Sequence, residues 1–451
     1  MDNPKRYDND TIVAIATPPG RGGIGVIRLS GPKAFSIATQ LAGKTPKVRA
    51  VSYAQFKNSS NEVVDTGLLI GFIGPHSFTG EDVVEVQGHG GPIIQDVLLK
   101  TLIHLGARQA NAGEFSERAF LNNKIDLTQA EAIADLINST TEQAALGAMR
   151  SLSGEFSKRV EELLQQLVFL RGYVEAAIDF PEEEIDFLSD SIVQTKLAEL
   201  KEAVALSLKQ TKQGAILTTG MKLVLAGKPN AGKSSLLNSL AGTDTAIVTP
   251  IAGTTRDIIS QTIDLQGLPV HILDTAGLRD ASDEVERIGV ERAERAILEA
   301  DHVLMLVDVT DESPPLPIRY PDKTTIVRTK VDLDQGHSQQ GKLGKDAQTT
   351  EIAISVKTNE GIPQLTQHIQ TLAGYKSDNE SVFTARRRHI HCLEVAQQAI
   401  NRGSTQLNDF HAGELLADEL LQAQTAINEI TGEFTSDDLL GKIFSSFCIG
   451  K

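Results

Sequence analysis

Leu223-Val-Leu-Ala-Gly227-Lys-Pro-Asn-Ala-Gly232-Lys233-Ser234 decides the fold of this chain. A short apolar run of strand character enters a glycine-rich loop, and the helical pattern Ser235-Leu-Leu-Asn-Ser-Leu240 leaves it. The loop fits G-x-x-x-x-G-K-[ST] in the strand–loop–helix setting that pattern requires. Gly227 and Gly232 let the backbone curl so that successive N–H groups face phosphate oxygens. Lys233 is placed to reach the β- and γ-phosphates, and the Ser234 hydroxyl to ligate Mg²⁺. The helix adds its positive N-terminal end. A nucleotide-binding α/β domain follows.

Working outward, residues 217–376 alternate strand and helix patterns, as a doubly wound sheet does. Expected strands are Lys222–Ala226, Ile258–Leu265, Val270–Asp274, His302–Val309, Thr324–Arg328 and Glu351–Ser355, with helices from Lys233, near Val285 and from Ile362. Residues 1–120 read as α+β, with strands at Thr11–Ala16, Gly25–Leu29, Leu68–Ile73 and Asp82–Gln87 and a helix over Pro92–Leu105. The stretch Thr17–Gly23 reads as a loop, and Gly74–Gly80 as a hairpin-type link. Residues 121–216 and 377–451 are helical in pattern: Leu127–Met149, Phe156–Ala177 and Ile192–Gln210, then Arg386–Asn401, Gly413–Ile430 and Ser436–Phe447. The economical arrangement is a helical domain interrupted by the nucleotide domain, since insertions are tolerated at surface points where chain ends lie close together.

At 451 residues the chain has room for about three domains. Its net charge of −16 argues against a strong sequence-independent nucleic-acid binder. Without Trp and with 4% aromatics, an aromatic stacking platform for bases is not expected. Two cysteines, Cys392 and Cys448, make no disulfide framework and suit a reducing cytoplasm; Cys392 reads as core. No stretch reads as a membrane span or a signal peptide.

Further motifs narrow the nucleotide. Asp274-Thr-Ala-Gly277 ends a strand, where a carboxylate can hold the Mg²⁺ shell and a glycine N–H can sense the γ-phosphate. Thr254 or Thr255, in Gly253-Thr-Thr-Arg-Asp257, can bind metal in the triphosphate state and release it after hydrolysis. In Thr329-Lys330-Val-Asp332 the carboxylate can accept guanine N1–H and N2–H₂, which adenine does not offer, while the Lys330 stem covers the base. Ser355-Val-Lys357 closes the base pocket. These segments resemble translation-factor-type small GTPases, whose base-reading motif is Asn-Lys-x-Asp. Thr329 is shorter than asparagine and lacks the amide, which weakens the expected tie to guanine N7 and to the phosphate loop. GTP selection is therefore expected to rest on Asp332, at reduced affinity. Leu278 stands where Ras-like proteins carry a water-orienting glutamine, so hydrolysis needs a polar group and a positive charge from elsewhere. Arg256 and Arg279 are candidate charges. Glu286 is either that polar group or a solvated residue at a helix start; the residues alone leave both open.

The resemblance then extends over essentially the whole chain. Thr17-Pro-Pro-Gly-Arg-Gly-Gly-Ile-Gly25, Phe78-Thr-Gly-Glu-Asp82, Gln87-Gly-His-Gly-Gly91, Ala112-Gly-Glu-Phe-Ser-Glu-Arg-Ala-Phe120, Asp274-Thr-Ala-Gly-Leu-Arg279 and Phe447-Cys-Ile-Gly-Lys451 resemble the tRNA-modification GTPases called the MnmE or TrmE family. The resemblance implies an N-terminal tetrahydrofolate-binding and dimerisation domain, a helical domain and an inserted Ras-like P-loop GTPase domain. It implies a cytoplasmic homodimer that, in a heterotetramer with the FAD-carrying flavoprotein MnmG, installs an aminomethyl or carboxymethylaminomethyl group on C5 of the wobble uridine of tRNA. The one-carbon unit would come from 5-formyl- or methylene-tetrahydrofolate.

The same resemblance assigns nucleotide contacts to Asn230, Ala231, Gly232, Lys233, Ser234 and Ser235, to Thr249, Pro250, Ile251, Ala252, Gly253, Thr254 and Thr255, and to Asp274, Thr275, Ala276 and Gly277. It adds Thr329, Lys330, Val331 and Asp332, with Ser355, Val356 and Lys357. K⁺ is implied at Asn230, Thr249, Ile251 and Thr254, and Mg²⁺ at Ser234 and Thr255. Glu286 matches the water-orienting glutamate. Folate contacts are implied at Arg28, Glu85, Lys124 and Lys451. Cys448 matches a cysteine proposed to be catalytic, though a partly buried small hydrophobe is an equal reading. His89 reads as a turn histidine or a polarising group near the folate. The alternative is a regulatory GTPase switch of RNA or ribosome metabolism without transfer chemistry. Such switches usually append a basic RNA-binding module, which this acidic chain does not show.

Overall fold

The computed structural model describes residues 10–179, 191–242, 260–274, 295–312, 317–318, 320–333, 344–346, 349–375, 383–432, 437–447 and 450. The chain divides into two compact units, Met1–Ala134 with Gln424–Lys451, and Asp135–Ala423.

In the first unit, strands β1 (Ile12–Ile15), β2 (Gly22–Ser30), β3 (Ser52–Lys57), β4 (Val63–Phe72), β5 (Val83–Gly90) and β6 (Arg108–Gln109) form one sheet. Its order is β3-β4-β5-β2-β1-β6, antiparallel throughout except for the β1–β6 pair. Helices α1 (Ala34–Ala42) and α2 (Pro92–His104) cover one face. There Ile27, Leu29, Val84 and Val86 alternate into a core with Ile37, Leu41, Leu98 and Leu102. Alternation puts Arg28 and Glu85 on the opposite face, at paired positions of β2 and β5. Helix α3 (Glu114–Leu121) brings Phe115 against Ile12 and Ala14 on that face. The helix Asp437–Ser445 returns from the chain's far end, and its Ile443 and Phe444 join Leu127 and Ala130 of α4 (Leu127–Asn138) in a separate cluster.

The second unit contains α5 (Glu142–Leu152), α6 (Glu155–Asp179) and α7 (Ser191–Thr219), then a sheet. Its strands are β7 (Met221–Gly227), β8 (Ser260–Leu265), β9 (Leu268–Asp274), β10 (His302–Asp308), β11 (Thr324–Thr329), β12 (Gly344–Asp346) and β13 (Thr349–Ala353). The order β12-β13-β11-β10-β7-β9-β8 is parallel except at the two edge strands, β8 and β12. Helices α8 (Lys233–Ala241) and α9 (Ile362–Ala373) pack on one face through Leu236, Leu240, Leu365 and Ile369. The segment 295–300 packs Ala296 and Ala300 on the other, against Val224 and Met305. Helices on both faces of a parallel sheet make it doubly wound. After α9 the chain re-enters helix as α10 (Arg387–Phe410) and α11 (Gly413–Thr431). Helix α10 is tied to α7 by Lys212–Glu394 at 2.7 Å, Lys201 to Ser404 at 3.1 Å and Gln194 to Asn408 at 3.0 Å. The nucleotide domain is therefore inserted between two packed helices.

Several local expectations differ from the structure. The expected single helix Leu127–Met149 is two, because Thr141 accepts the Ala144 N–H at 3.1 Å and starts α5 afresh. Strand β2 begins at Gly22, inside the expected loop, and a register shift between Gly22 and Gly25 lets it continue. Strands β3 and β12 and helix α1 have no counterpart in the sequence pattern. His89 lies on β5 rather than in a turn.

Candidate nucleotide-binding site

Strand β7 ends at Gly227, whose φ is 148°. A Cβ at this position would lie 2.6 Å from the Leu306 carbonyl oxygen, which leaves no room for a side chain. Asn230 (φ 62°) and Gly232 (φ 91°) turn the loop into α8. Ala231 is buried and anchors the loop to the core below, while Asn230, Ser234 and Ser235 are not buried. Lys233 Nζ donates to the carbonyls of Gly227 at 2.6 Å and Lys228 at 2.8 Å. The ammonium is thus held over the loop, where an arriving phosphate would compete for it.

Strands β11 and β13 bring the second and third motifs to the same sheet edge. Thr329 closes β11, Lys330 turns with φ 62°, and Val331–Leu333 form one 3₁₀ turn. Ser355 Oγ donates to Asp332 Oδ1 at 2.7 Å and accepts the Thr358 N–H at 3.2 Å. That fixes the carboxylate's direction. Lys330 Nζ donates to Asp308 Oδ2 at 2.5 Å. Burial pushes the Asp308 carboxyl up, but the bonds from Lys330 and Thr310 outweigh it and hold it below the usual carboxylate value. Thr329 Oγ1 donates to the Ala231 carbonyl at 2.9 Å, so the shorter side chain does reach the phosphate loop. A cavity of about 340 Å³ opens between the motifs, lined by Gly232, Ser235, Thr329, Lys330, Asp332, Val356 and Lys357. Its size is that of a small ligand site.

The candidate nucleotide residues at 249–255 and 275–277, together with Glu286, lie outside the described residues, as do Arg256, Leu278 and Arg279. Asp274 is described only as the last residue of β9.

In the first unit, Arg28 Nε and Nη2 donate to Glu85 Oε1 at 3.1 and 2.9 Å. The Arg28 guanidinium lies 5.8 Å from the Phe78 ring centroid and 5.9 Å from that of Phe115. Among the described residues, Glu85 Oε2 takes a 3.4 Å contact from Gln87, so it keeps acceptor capacity. The Lys124 stem runs beside Gly80, with Cγ 3.3 Å from where a Cβ would project. Gly450 lies against Ile15 and Ala16 at the end of β1. Lys451 and Cys448 are outside the described residues; Cys392 is buried in α10.

Sequence reasoning missed one partner on this sheet. Asp65, whose side chain is 6% exposed, accepts from His89 Nδ1 at 2.6 Å and from the His89 N–H at 2.8 Å. Burial raises the Asp65 carboxyl, and these bonds with that from the Thr66 N–H outweigh it and lower it overall. Asp65 carries no motif that could have pointed to His89, a neighbour only through strand pairing. Phe78 and Phe115 stand inside the quoted motifs, but their approach to Arg28 depends on the tertiary fold.

No described helix is long and apolar enough to cross a membrane. Residues 127–448 match the family described as the MnmE helical domain, and residues 11–124 match the GTP-binding protein TrmE N-terminus. Among curated relatives, the tRNA modification GTPase MnmE of Marinomonas sp. is 55% identical, with 98% of each chain covered. That of Saccharophagus degradans is 54% identical, covering 98% of this chain and 99% of its own. Among solved structures, the G domain of the T. maritima FeoB iron transporter covers 34% of this chain and 98% of its own, at 24% identity and a TM-score of 0.25, a likeness too slight to bear on function. On the match of both family regions and of full-length relatives, the chain belongs to the MnmE family of tRNA modification GTPases.

Proposed function

We propose that this protein is a K⁺-activated GTPase that modifies C5 of the wobble uridine of tRNA, together with a flavoprotein partner of the MnmG kind and a folate one-carbon unit. The observation that carries the GTPase part is the convergence of Thr329 and Asp332 on one cavity beside a phosphate loop whose own carbonyls hold Lys233 Nζ. In this reading the phosphate loop cradles the β- and γ-phosphates, Lys233 leaves its loop carbonyls for them, and Asp332 reads guanine N1–H and N2–H₂. Glu286 would orient water, in place of the glutamine absent at position 278.

The donor chemistry suits the implied ions. Ser234 offers a hydroxyl on the first turn of α8, fit for a hard cation such as Mg²⁺. Asn230, an exposed residue of the loop, carries a side-chain amide oxygen, a donor fit for K⁺. Thr249, Ile251, Thr254 and Thr255 complete the proposed ligand sets. When bound, K⁺ supplies positive charge where negative charge develops in phosphoryl transfer. On the other sheet, Glu85 suits the N–H donors of a pterin, and Lys124 and Lys451 suit a glutamate tail. Cys448 is a candidate catalytic residue of the same reaction. The division into 1–120, 121–216, 217–376 and 377–451, a cytoplasmic homodimer, and a heterotetramer with the flavoprotein belong to the same proposal.

Steady-state GTP hydrolysis in matched K⁺ and Na⁺ buffers tests it. Faster turnover in K⁺ is expected, with the difference lost in Asn230→Ala. Equal rates in the two salts would remove Asn230 from its role. A titration with 5-formyl-tetrahydrofolate that shows no binding would favour a switch without transfer chemistry.

A further inference from the structure

Thr329 and asparagine differ in how many protons they can give. A threonine hydroxyl carries one, whereas a side-chain amide carries two N–H donors. At Thr329 that one proton faces two carbonyls, Ala231 at 2.9 Å and Val307 at 3.4 Å. Both are acceptors, so nothing remains to donate elsewhere. Guanine N7 is itself an acceptor and can be read only by a donor.

Rotating the hydroxyl toward the cavity would strip the Ala231 carbonyl of its side-chain donor in a buried setting, since Thr329 is only 3% exposed. The residue is also packed against the loop. Its Cβ, Oγ1 and Cγ2 lie 3.8, 3.8 and 3.9 Å from where a Cβ on Gly232 would sit. The neighbouring cation does not substitute, because the Lys330 ammonium is held by Asp308 at 2.5 Å.

We propose that Thr329 is a specificity-determining residue that commits its hydroxyl to tying the base-reading turn to the phosphate loop and leaves the guanine N7 edge unread. Base selection then rests on the Asp332 side of the ring. The inference rests on the guanine-nucleotide reading of this cavity and adds which edge of the base the protein recognises.

The test uses the full-length protein and equilibrium titration with GDP and with 7-deaza-GDP, which keeps the Watson–Crick edge and replaces N7 by C–H. The wild type is expected to bind the two within about threefold of each other. Thr329→Asn supplies the second donor and is expected to gain a preference of about tenfold for GDP. Thr329→Val removes the tie and is expected to weaken both nucleotides alike, with their ratio unchanged. Thr329→Ser keeps the hydroxyl and is expected to behave as the wild type, which separates loss of the tie from misfolding. A wild type that prefers GDP by about tenfold or more overturns the inference and leaves the guanine reading intact. So does a Thr329→Asn variant with the wild-type ratio. A folded wild type that binds neither compound overturns both.

Discussion

Asp332 and Ser355 meet at the ends of β11 and β13, where Ser355 Oγ donates to one carboxylate oxygen at 2.7 Å. That bond aims the carboxylate and leaves the second oxygen for a ligand. A carboxylate accepting two N–H donors from guanine makes charge-assisted bonds, which are about twice as strong as neutral ones. Asp332→Asn keeps the shape and removes the charge, offering one N–H₂ where guanine also donates. We expect affinity for GDP to fall by about a hundredfold and xanthosine diphosphate to become the better ligand. Competitive titration of the two nucleotides checks this, and an intact guanine preference would remove Asp332 from base reading. The motif itself was legible in sequence. The contact of Thr329 with the phosphate loop was not, because it joins residues 98 positions apart whose separation only the sheet closes.

At the level of elements, β10, β11 and α9 share a buried polar contact that the strand patterns did not disclose. His302 Nε2 lies 2.8 Å from Thr325 Oγ1, and His368 Nε2 lies 2.9 Å from the same hydroxyl. Burial, with smaller contributions from the nearby His368 and Lys323 charges, pushes His302 from 6.5 down to about 4. Between those values the unfolded chain binds the proton and the folded one does not, so stability rises with pH across the window. The contribution is complete above the unfolded value and is lost as pH falls through it toward about 4. Its size is on the order of 3 kcal/mol. His302→Gln should therefore flatten the fall in urea midpoint between neutral and mildly acidic pH. An unchanged slope would show that His302 does not carry it. After α4 ends at Asn138, the Thr141 side chain accepts the Ala144 N–H and starts α5 as a separate helix, where hydrophobic spacing alone predicts one continuous helix.

Across the whole molecule, the first unit is made from both ends of the chain. Phe444, 1% exposed, packs with Leu127, Ala130 and Phe447, and its carbonyl oxygen approaches Gly113 so closely that a Cβ there would lie 2.4 Å away. Phe444→Ala should cost about 3–5 kcal/mol through lost burial and the cavity left behind. The loss should appear in the unfolding of the first unit, followed by hydrogen exchange in β1, β2 and β5, with the nucleotide-domain strands unaffected. Equal loss of protection in both units, or none in the first, would contradict this placement of the terminal helix.

The phosphate loop, the alternation of strand and helix behind it and the interruption of a helical region were readable from residue order, because each rests on local properties. These are glycine's access to positive φ, periods of two or 3.6, and the spacing of a loop around phosphate. Strand order, the pairing of Arg28 with Glu85, the Asp65–His89 contact and the return of Phe444 to the first unit were decided by tertiary structure. In each, the partners come from separate elements, and the free energy that joins them comes from burying apolar faces that no local pattern assigns to one another.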